Sequence, residues 1–561
     1  ALDHARDLFA AGTPVVGVCA AGILIRAVAP LLSDKRTEPP VVAVSDDGSV
    51  VVPLLGGHRG ANRLAAEIAE ALGAKAAVTT AGDVAMGVAL DAPPEGYRLA
   101  NPGDAKNVMA ALLAGGGART SGEHLFDLPN GDAVEICVTE EPVDGMASRL
   151  VYNPQRYALG VGCARNADPV MMISQVENML SEAGVAQGSI ACVGTLDLKA
   201  DEPAVNGLAR HLGVPLRVFY AAELEALTPR LSSPSDVVFA EVGCHGVAEA
   251  AALALAGQSA VLTVEKQKTA TITCALARCA EPITSLAGRS RGRLSVVGIG
   301  PGQSGWRTPE ASRLIAEADE LVGYGLYIDL LGPLAAGKPR HDFPLGGEEE
   351  RCRFALERAA EGRNVALICS GDAGIYAMGA LVFELLDRPT SGYGVSDAAR
   401  RVEVVCTPGV SALQAAASRA GAPLGHDFCA ISLSDLLTPR ADILRRLQAA
   451  AEGDFVIAFY NPVSKRRRTL LAEARDILLR HRRADTPVLL ASSLGRSEET
   501  LRYRQLQDLE VDEVDMLTVV IVGSSQSRLA QLGDGPRMFT PRGYARKIDG
   551  DLAVAVEEGT V

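Results

Sequence analysis

Aromatic side chains are scarce in this sequence: 4% of 561 residues, with a single tryptophan. Its interior must therefore be built from aliphatic and small residues. No run of 18 or more apolar residues occurs, which excludes a membrane-spanning helix, and no basic–apolar–small leader opens the chain. Its eleven cysteines include no Cys-x-x-Cys pair, the nearest two being Cys274 and Cys279. Structural zinc and iron–sulfur sites need clustered thiolates, so no metal is expected. The cysteines read as small buried hydrophobes of a reducing compartment. Positive charge is also short, with 54 Lys and Arg against 68 Asp and Glu and a formal net charge of −14. Nucleic acid is thus excluded as the main partner, because phosphate binding rests on Lys and Arg. Local basic patches for a multiply anionic small molecule remain open. The chain opens at Ala1 rather than Met, so a short native segment is expected to precede it. These absences leave a soluble cytoplasmic enzyme.

What is present is an α/β pattern: 48% hydrophobic residues, 57 glycines, and short β-branched runs alternating with Ala-rich helical stretches. The length calls for several domains. Residues 41–44 and 50–55 read as a hairpin around an Asp-Gly turn, followed by Gly57-His58-Arg59-Gly60 and a helix closed by Gly73. We place a first α/β unit over 1–112. Residues 113–155 read as a connector with little core of its own. A second α/β unit covers 156–282, with a helix over 170–182 and strands over 190–193 and 236–242. A hairpin over 261–264 and 271–275 closes that unit. A short linker, 285–292, leads to a two-lobed α/β unit over 293–545.

That last unit begins with an apolar strand entering Gly298-Ile299-Gly300-Pro301-Gly302. A dinucleotide loop needs its third glycine three positions after the second, and here Pro301 removes a donor and stiffens the turn. Thr308-Pro309-Glu310 marks the helix start further on. By itself the loop reads equally as a structural turn. Further loops follow apolar runs, however: Ser370-Gly371-Asp372-Ala373-Gly374-Ile375-Tyr376, Thr407-Pro408-Gly409-Val410-Ser411-Ala412-Leu413, Tyr460-Asn461-Pro462 and Gly523-Ser524-Ser525. Glycine-bearing loops at the carboxyl ends of parallel strands converge on one crevice, where small residues let backbone approach a ligand.

Together these segments resemble the class III tetrapyrrole methyltransferase family. Residues 408–428 and Ile431-Ser432-Leu433-Ser434-Asp435-Leu436-Leu437-Thr438-Pro439 resemble the precorrin-3B C(17)-methyltransferases within it. The resemblance covers 293–526. It implies a tetrapyrrole methylase fold of two lobes that binds S-adenosylmethionine between them, usually as a homodimer. The cofactor contacts it implies fall on Gly300, Pro301, Gly302, Gly371, Asp372, Ile375, Ser411, Ala412, Asn461 and Leu494. Asp372 either meets the methionine ammonium or holds its own turn. The implied reaction methylates carbon 17 of precorrin-3B and contracts the macrocycle to precorrin-4. Contraction needs proton removal from a C20 hydroxyl and support for a developing carbonyl. His426, Asp427, Ser434, Asp435 and Tyr460 are the candidates, with His426 equally able to cap a loop. Ser411 lacks the Gly-x-Ser-x-Gly setting of a nucleophile elbow. The run Lys465-Arg466-Arg467-Arg468 is either a solvated face or a dock for substrate carboxylates.

The first half resembles the cobalt-precorrin-5A hydrolase family over about 12–282. The residues that carry this are Gly22-Ile23-Leu24-Ile25-Arg26-Ala27, Gly57-His58-Arg59-Gly60-Ala61-Asn62 and Leu196-Asp197-Leu198-Lys199-Ala200-Asp201-Glu202-Pro203. The resemblance implies opening of a corrinoid lactone with release of acetaldehyde. His58, in a glycine-flanked loop entering a helix, is a candidate base or anion site. Lys199, with Asp197, Asp201 and Glu202, is either an acid/base site or a solvated charge cluster. Lys266 and Lys268 can hold carboxylates. His245 stands in Gly-Cys-His-Gly where this family carries Pro-Ser. The alternative is a non-catalytic half that binds corrinoids and hands them to other enzymes of the pathway.

Overall fold

The computed structural model describes residues 2–32, 34, 37–80, 82, 86–464 and 468–544, except for the side chain of His58. A four-stranded sheet comes first, in the order Val15–Val18, Val41–Val44, Val50–Leu55, Lys75–Ala76. Its central pair is the expected antiparallel hairpin, and the helix Ala61–Leu72 ends on Gly73 in the left-handed region.

The next segment corrects the expectation of a connector over 113–155. Ala118–Ser121, Val134–Val138 and Arg149–Pro154 pair in parallel, and Tyr97–Leu99 adds antiparallel to the last. Leu99, Val108, Leu112, Ile136, Leu150 and Tyr152 form a buried core between this sheet and the helix Ala105–Leu113. A division at residue 112 therefore separates strand Tyr97–Leu99 from its partner. Short strands with polar turns between them hid the alternation of Val134, Ile136 and Val138 that makes the core.

A five-stranded sheet follows, ordered Leu216–Phe219, Ile190–Leu196, Tyr157–Cys163, Ile272–Arg278, Val261–Lys268. The first three strands are parallel and the last two form the expected hairpin. Residues 236–242 are a helix, Asp236–Val242, rather than a strand. The Ser235 hydroxyl caps it by accepting from Val238 N, and Gly243 closes it at φ +77°. These end signals outrank the β-branched Val237 and Val238.

The last half has two lobes. In the first, five parallel strands run in the order Arg340–Phe343, Glu320–Tyr324, Asn364–Cys369, Arg293–Gly298, Glu403–Thr407. Apolar clusters bury both faces, as parallel sheets require. Thr308 caps Pro309–Glu317 by accepting from Ala311 N at 3.1 Å. The second lobe carries Phe428–Ser432, Val456–Tyr460, Thr518–Val522, Pro487–Ser492 and Thr500–Gln505, in that order. Only its first pair is parallel, so the expectation of parallel strands throughout holds for the first lobe alone. A small sheet of Gly421–Ala422, Gly535–Phe539 and Arg528–Leu532 packs beside it.

Candidate functional site

In the first lobe the strand order places Arg293–Gly298 between Asn364–Cys369 and Glu403–Thr407. Their carboxyl ends therefore open side by side, the place where α/β sheets form a crevice. The loops that leave them interlock through backbone. Gly300 N donates to Gly371 O at 3.1 Å and Gly371 N donates back to Gly300 O at 2.8 Å. Both glycines are left-handed, at φ +76° and +69°, a conformation that costs a side-chain-bearing residue roughly 1 kcal/mol or more. Gly409 approaches so closely that a Cβ there would lie 2.1 Å from Gly371 O. Asp372 fastens the third loop: its carboxylate accepts from Gly374 N at 2.8 Å and Gly409 N at 3.1 Å. These bonds hold its own turn, and the residue also stands on the wall of the cleft described next.

Between the lobes lies a cleft of about 720 Å³. Pro301, Gly371, Asp372, Ile375, Ser411, Ala412, Asn461 and Leu494 line it, as do Ser434 and Tyr460. Gly300 and Gly302 do not reach its wall. Gly300 forms the bridge beneath, and a Cβ on Gly302 would meet Gly495 O at 2.8 Å, so it seats the 493–496 loop. Ser411 caps the helix Ala412–Ala420 in a reciprocal box with Gln414. The Tyr460 hydroxyl accepts from Leu413 N at 3.0 Å, in the first turn of that helix. Asn461 donates to Ser432 Oγ at 3.1 Å. Tyr376 packs 5.1 Å from the Tyr460 ring, and its hydroxyl donates to Ala430 O at 2.9 Å across the lobes. Burial raises the pKa of the Tyr376 phenol, and also that of Tyr327. Three non-glycine residues of the cleft, Tyr376, Asn461 and Ser493, have positive φ. Backbone held there costs of order 1–3 kcal/mol each and gathers at ligand sites.

Two expectations are corrected by strand direction. His426 and Asp427 precede Phe428–Ser432, whose other end, Ser432, meets the cleft. The nearest cleft residue of that strand is Ala430, and three residues at about 3.3 Å each put Asp427 roughly 10 Å from it, with His426 further still. The His426 ring accepts from Asp427 N at 2.8 Å and both side chains are exposed, which is the capping alternative. Gly523-Ser524-Ser525 lie at that far end too, because Thr518–Val522 runs antiparallel to Val456–Tyr460. There Ser525 binds Asp454, and the cleft receives Met516 and Leu517 instead. Asp435 lies off the cleft wall, 3.7 Å from Arg440. Residues 465–467 of the basic run lie outside the described residues, and Arg468 is paired with Asp512.

Sequence reasoning missed the rim and one cation. Leu345, Tyr376, Leu436, Leu437, Met516 and Leu517 surround the cleft, all of them exposed. Arg351 also lines it while being only 2% exposed. It follows Glu348-Glu349-Glu350 and so looks like part of a solvated run. The available signal was its helical spacing with Cys352, Ala355 and Ala359, a charge on the buried stripe.

In the first half, Lys199 ends the turn after strand Ile190–Leu196, beside the carboxyl end of Tyr157–Cys163. Its ammonium lies 3.6 Å from Glu202, which Arg165 also approaches at 3.1 Å. Glu202 is buried and accepts from Asn166 N at 3.0 Å. Burial pushes the neighbouring Cys163 thiol up to about 11, which keeps it protonated. Lys266 donates to Ser233 O at 2.8 Å. His245 sits against Glu225 and stacks on Phe239 at 4.4 Å, pinning the helix Asp236–Val242. The side chain of His58 lies outside the described residues.

Comparison with known proteins assigns these parts. Residues 293–510 match the family model for tetrapyrrole (corrin/porphyrin) methylases. A probable cobalt-factor III C(17)-methyltransferase from Salmonella typhimurium is 47% identical over 251 residues, 45% of this chain and 99% of that protein. The chain belongs to the tetrapyrrole methylases. A precorrin-3B C(17)-methyltransferase from Sinorhizobium sp is 43% identical over 255 residues, 45% of this methylase chain and 98% of that protein. The crystal structure of the methyltransferase CobJ is 38% identical and covers 45% of this chain and all of its own, with a TM-score of 0.41. Residues 3–83 match the cobalamin synthesis G N-terminal model and 157–277 the cobalamin synthesis G C-terminus. This methylase thus carries both segments ahead of its methyltransferase half. Among the described residues, no helix is long and apolar enough to cross a membrane, and no group of His, Cys, Asp and Glu is arranged to hold a metal.

Proposed function

We propose that the protein is a bifunctional enzyme of cobalamin biosynthesis. Its C-terminal half transfers the methyl group of S-adenosylmethionine to carbon 17 of a precorrin-3B-type tetrapyrrole with ring contraction, and its first half hydrolyses a cobalt-precorrin-5A-type lactone. The two similar proteins are named for C(17) methyl transfer to cobalt-factor III and to precorrin-3B. The observation that carries the reading is the cleft. Backbone-rich loops line one wall and an exposed apolar rim surrounds its mouth. That combination suits a small cofactor held by backbone, with a flat macrocycle laid over it.

S-adenosylmethionine supplies an electrophilic methyl group on sulfonium. The enamine carbon of the macrocycle is already nucleophilic, so alignment and water exclusion are the main demands on the protein. The interlocked loops at 300, 371 and 409 provide the rigid wall. Leu436 and Leu437, exposed on the segment that carries Ser434, cover the macrocycle face. For the proton at the C20 oxygen, Tyr460 and Ser434 are the two candidates at the cleft. Tyr460 already accepts an amide N–H, which polarises its own O–H for donation to a developing carbonyl.

The full chain, given methyl-labelled S-adenosylmethionine and precorrin-3B, should yield a labelled, ring-contracted product identified by mass and absorbance. An unlabelled or uncontracted tetrapyrrole would refute the assignment. Given cobalt-precorrin-5A, the same chain should release acetaldehyde. Tight corrinoid binding without acetaldehyde would instead make the first half a module that binds and hands over intermediates. A homodimer, as in the family, should appear in sedimentation.

A further inference from the structure

Arg351 is an anomaly in the electrostatics of the molecule. Its side chain stems from the helix Glu348–Ala360, on the stripe that packs into the first lobe, and the residue is 2% exposed. Other buried arginines are neutralised or enclosed by backbone. Arg307, for example, meets Asp7 at 2.9 Å, and Arg482 donates to the carbonyls of Gly523 and Phe455. Arg351 has no carboxylate within ion-pair distance among the described residues. Its Nη2 donates to Pro344 O at 2.9 Å, and its Nη1 reaches only the Met378 sulfur at 3.2 Å, a weak acceptor. Its Nε is buried without any partner. Two of five N–H donors are thus engaged, one of them poorly.

Taking a guanidinium out of water costs several kcal/mol or more unless it is paired. A fold that needed only bulk here would be served better by an apolar side chain. Arg351 is also a wall residue of the inter-lobe cleft. Leu345 and Leu381 stand beside it on the wall, as does Tyr327, whose phenol feels the charges of both Arg351 and Arg496. Arg496 binds no carboxylate either among the described residues; its Nε donates to Pro301 O at 3.4 Å. Glu348 and Glu384 also line the cleft, but neither pairs with Arg351, whose planar fork keeps free donors and has the geometry for bidentate capture of a carboxylate.

We propose that Arg351 is the buried anchor for a carboxylate of a ligand in this cleft, completed only when that ligand binds. The inference rests on the function proposed above, under which two ligands bring a carboxylate: an acidic side chain of the tetrapyrrole and the amino-acid end of the cofactor. Either source pairs the cation. The site selects acids over their esters, and its affinity for them exceeds what the apolar walls supply.

The test uses the full chain and three proteins: wild type, Arg351→Met and Arg351→Lys. Uroporphyrin III and its octamethyl ester report on the macrocycle, by fluorescence. S-adenosylhomocysteine and 5′-methylthioadenosine, which lacks the amino-acid carboxylate, report on the cofactor, by calorimetry. Because the ion is unpaired without ligand, Arg351→Met should leave the unfolding midpoint of the free protein unchanged or raised. It should weaken one acid by roughly tenfold or more and leave that acid's carboxylate-free control within twofold. Loss confined to uroporphyrin identifies the macrocycle as the source, and loss confined to S-adenosylhomocysteine identifies the cofactor. Arg351→Lys should keep part of the affinity. The proposal is overturned if neither acid is weakened, or if acids and controls weaken together while the midpoint falls, which is the signature of a packing role. Failure of the wild type to bind any porphyrin, with S-adenosylhomocysteine bound normally through Arg351, would sink the tetrapyrrole reading and leave the anchor standing.

Discussion

Replacing Gly409 by alanine tests whether the three interlocked loops are what binds the cofactor. The added Cβ would lie 2.1 Å from Gly371 O and 2.8 Å from the carbonyl of Gly298. Both obstacles are backbone, so no side chain can swing aside. Gly371 O must retreat by roughly 1 Å to reach van der Waals distance, which stretches its 3.1 Å bond from Gly300 N beyond bonding range. Overpacking of this kind costs about 1–3 kcal/mol, and the lost hydrogen bond about 1 kcal/mol more. The displaced atoms belong to Gly371, a wall residue of the cleft. If that strain is carried into the binding wall, affinity for S-adenosylhomocysteine should fall roughly 10- to 100-fold, at about 1.4 kcal/mol per tenfold. Calorimetric titration of the full chain measures it. Gly305→Ala, in the adjoining turn where a Cβ meets nothing within 4 Å, is the matched control and should bind normally. Binding within twofold of wild type for Gly409→Ala would refute the argument that these loops form the rigid cofactor wall.

Three further outcomes follow from the same geometry. Asp7→Ala removes the carboxylate paired with the 3%-exposed side chain of Arg307 and should cost about 3–5 kcal/mol, read as a drop of several degrees in the unfolding midpoint; an unchanged midpoint would show the pair contributes nothing. Glu140 is held down to about 2 from 4.5, chiefly by Arg278, with Tyr157 and Arg156 assisting. Its stabilisation, about 3 kcal/mol, is complete above pH 4.5 and lost as pH falls towards 2, so Glu140→Gln should flatten the acid limb of a stability-against-pH curve; two superimposable limbs would contradict this. His426→Ala should leave methyl transfer within twofold of wild type, since its ring is 55% exposed at the far end of its strand; a tenfold loss in kcat would restore it to the reaction.

Local signals carried much of this structure in the sequence. Strand-to-loop transitions at Gly298, Ser370 and Thr407 mark the cleft because a parallel sheet places successive carboxyl ends together. The same rule misled in the second lobe. Nothing in the residues of Thr518–Val522 reveals that it runs antiparallel to its neighbours, so Gly523-Ser524-Ser525 looked like a fifth wall loop. Direction is a property of topology, decided by which connection crosses the sheet. His426 failed differently: it precedes a strand that runs parallel to Val456–Tyr460, so the carboxyl-end rule itself places it at the wrong end. Helix Asp236–Val242 was legible in Ser235 and Gly243, had end signals been weighed above β-branching. Arg351 was legible only as a phase, one charge on the apolar stripe of an otherwise acidic turn.

The two halves of the chain are not beads on a string, and this governs how their activities must be separated. Helix Leu2–Ala10 packs against the first methylase lobe, where Leu8 joins the cluster containing Val297, just before the glycine loop, and Ile299 within it. Asp7 on that helix holds Arg307, just ahead of the Thr308 cap. The linker is likewise fixed: Arg289 bridges to Val218 at the edge of the preceding sheet, and Arg217 gathers the carbonyls of Leu286, Ala287 and Gly288. Asp197, two residues from Lys199, lies 3.5 Å from Arg401 of the methylase lobe. Separating the halves after a cut in the linker would therefore expose apolar surface beside Ile299 and leave Arg307 buried without its counter-ion. Loss of methyl transfer after such a cut would report damage to the glycine loop rather than a catalytic contribution from the first half. Point substitutions in the intact chain, at Lys199 for one activity and Tyr460 for the other, separate the two functions without disturbing the surface they share.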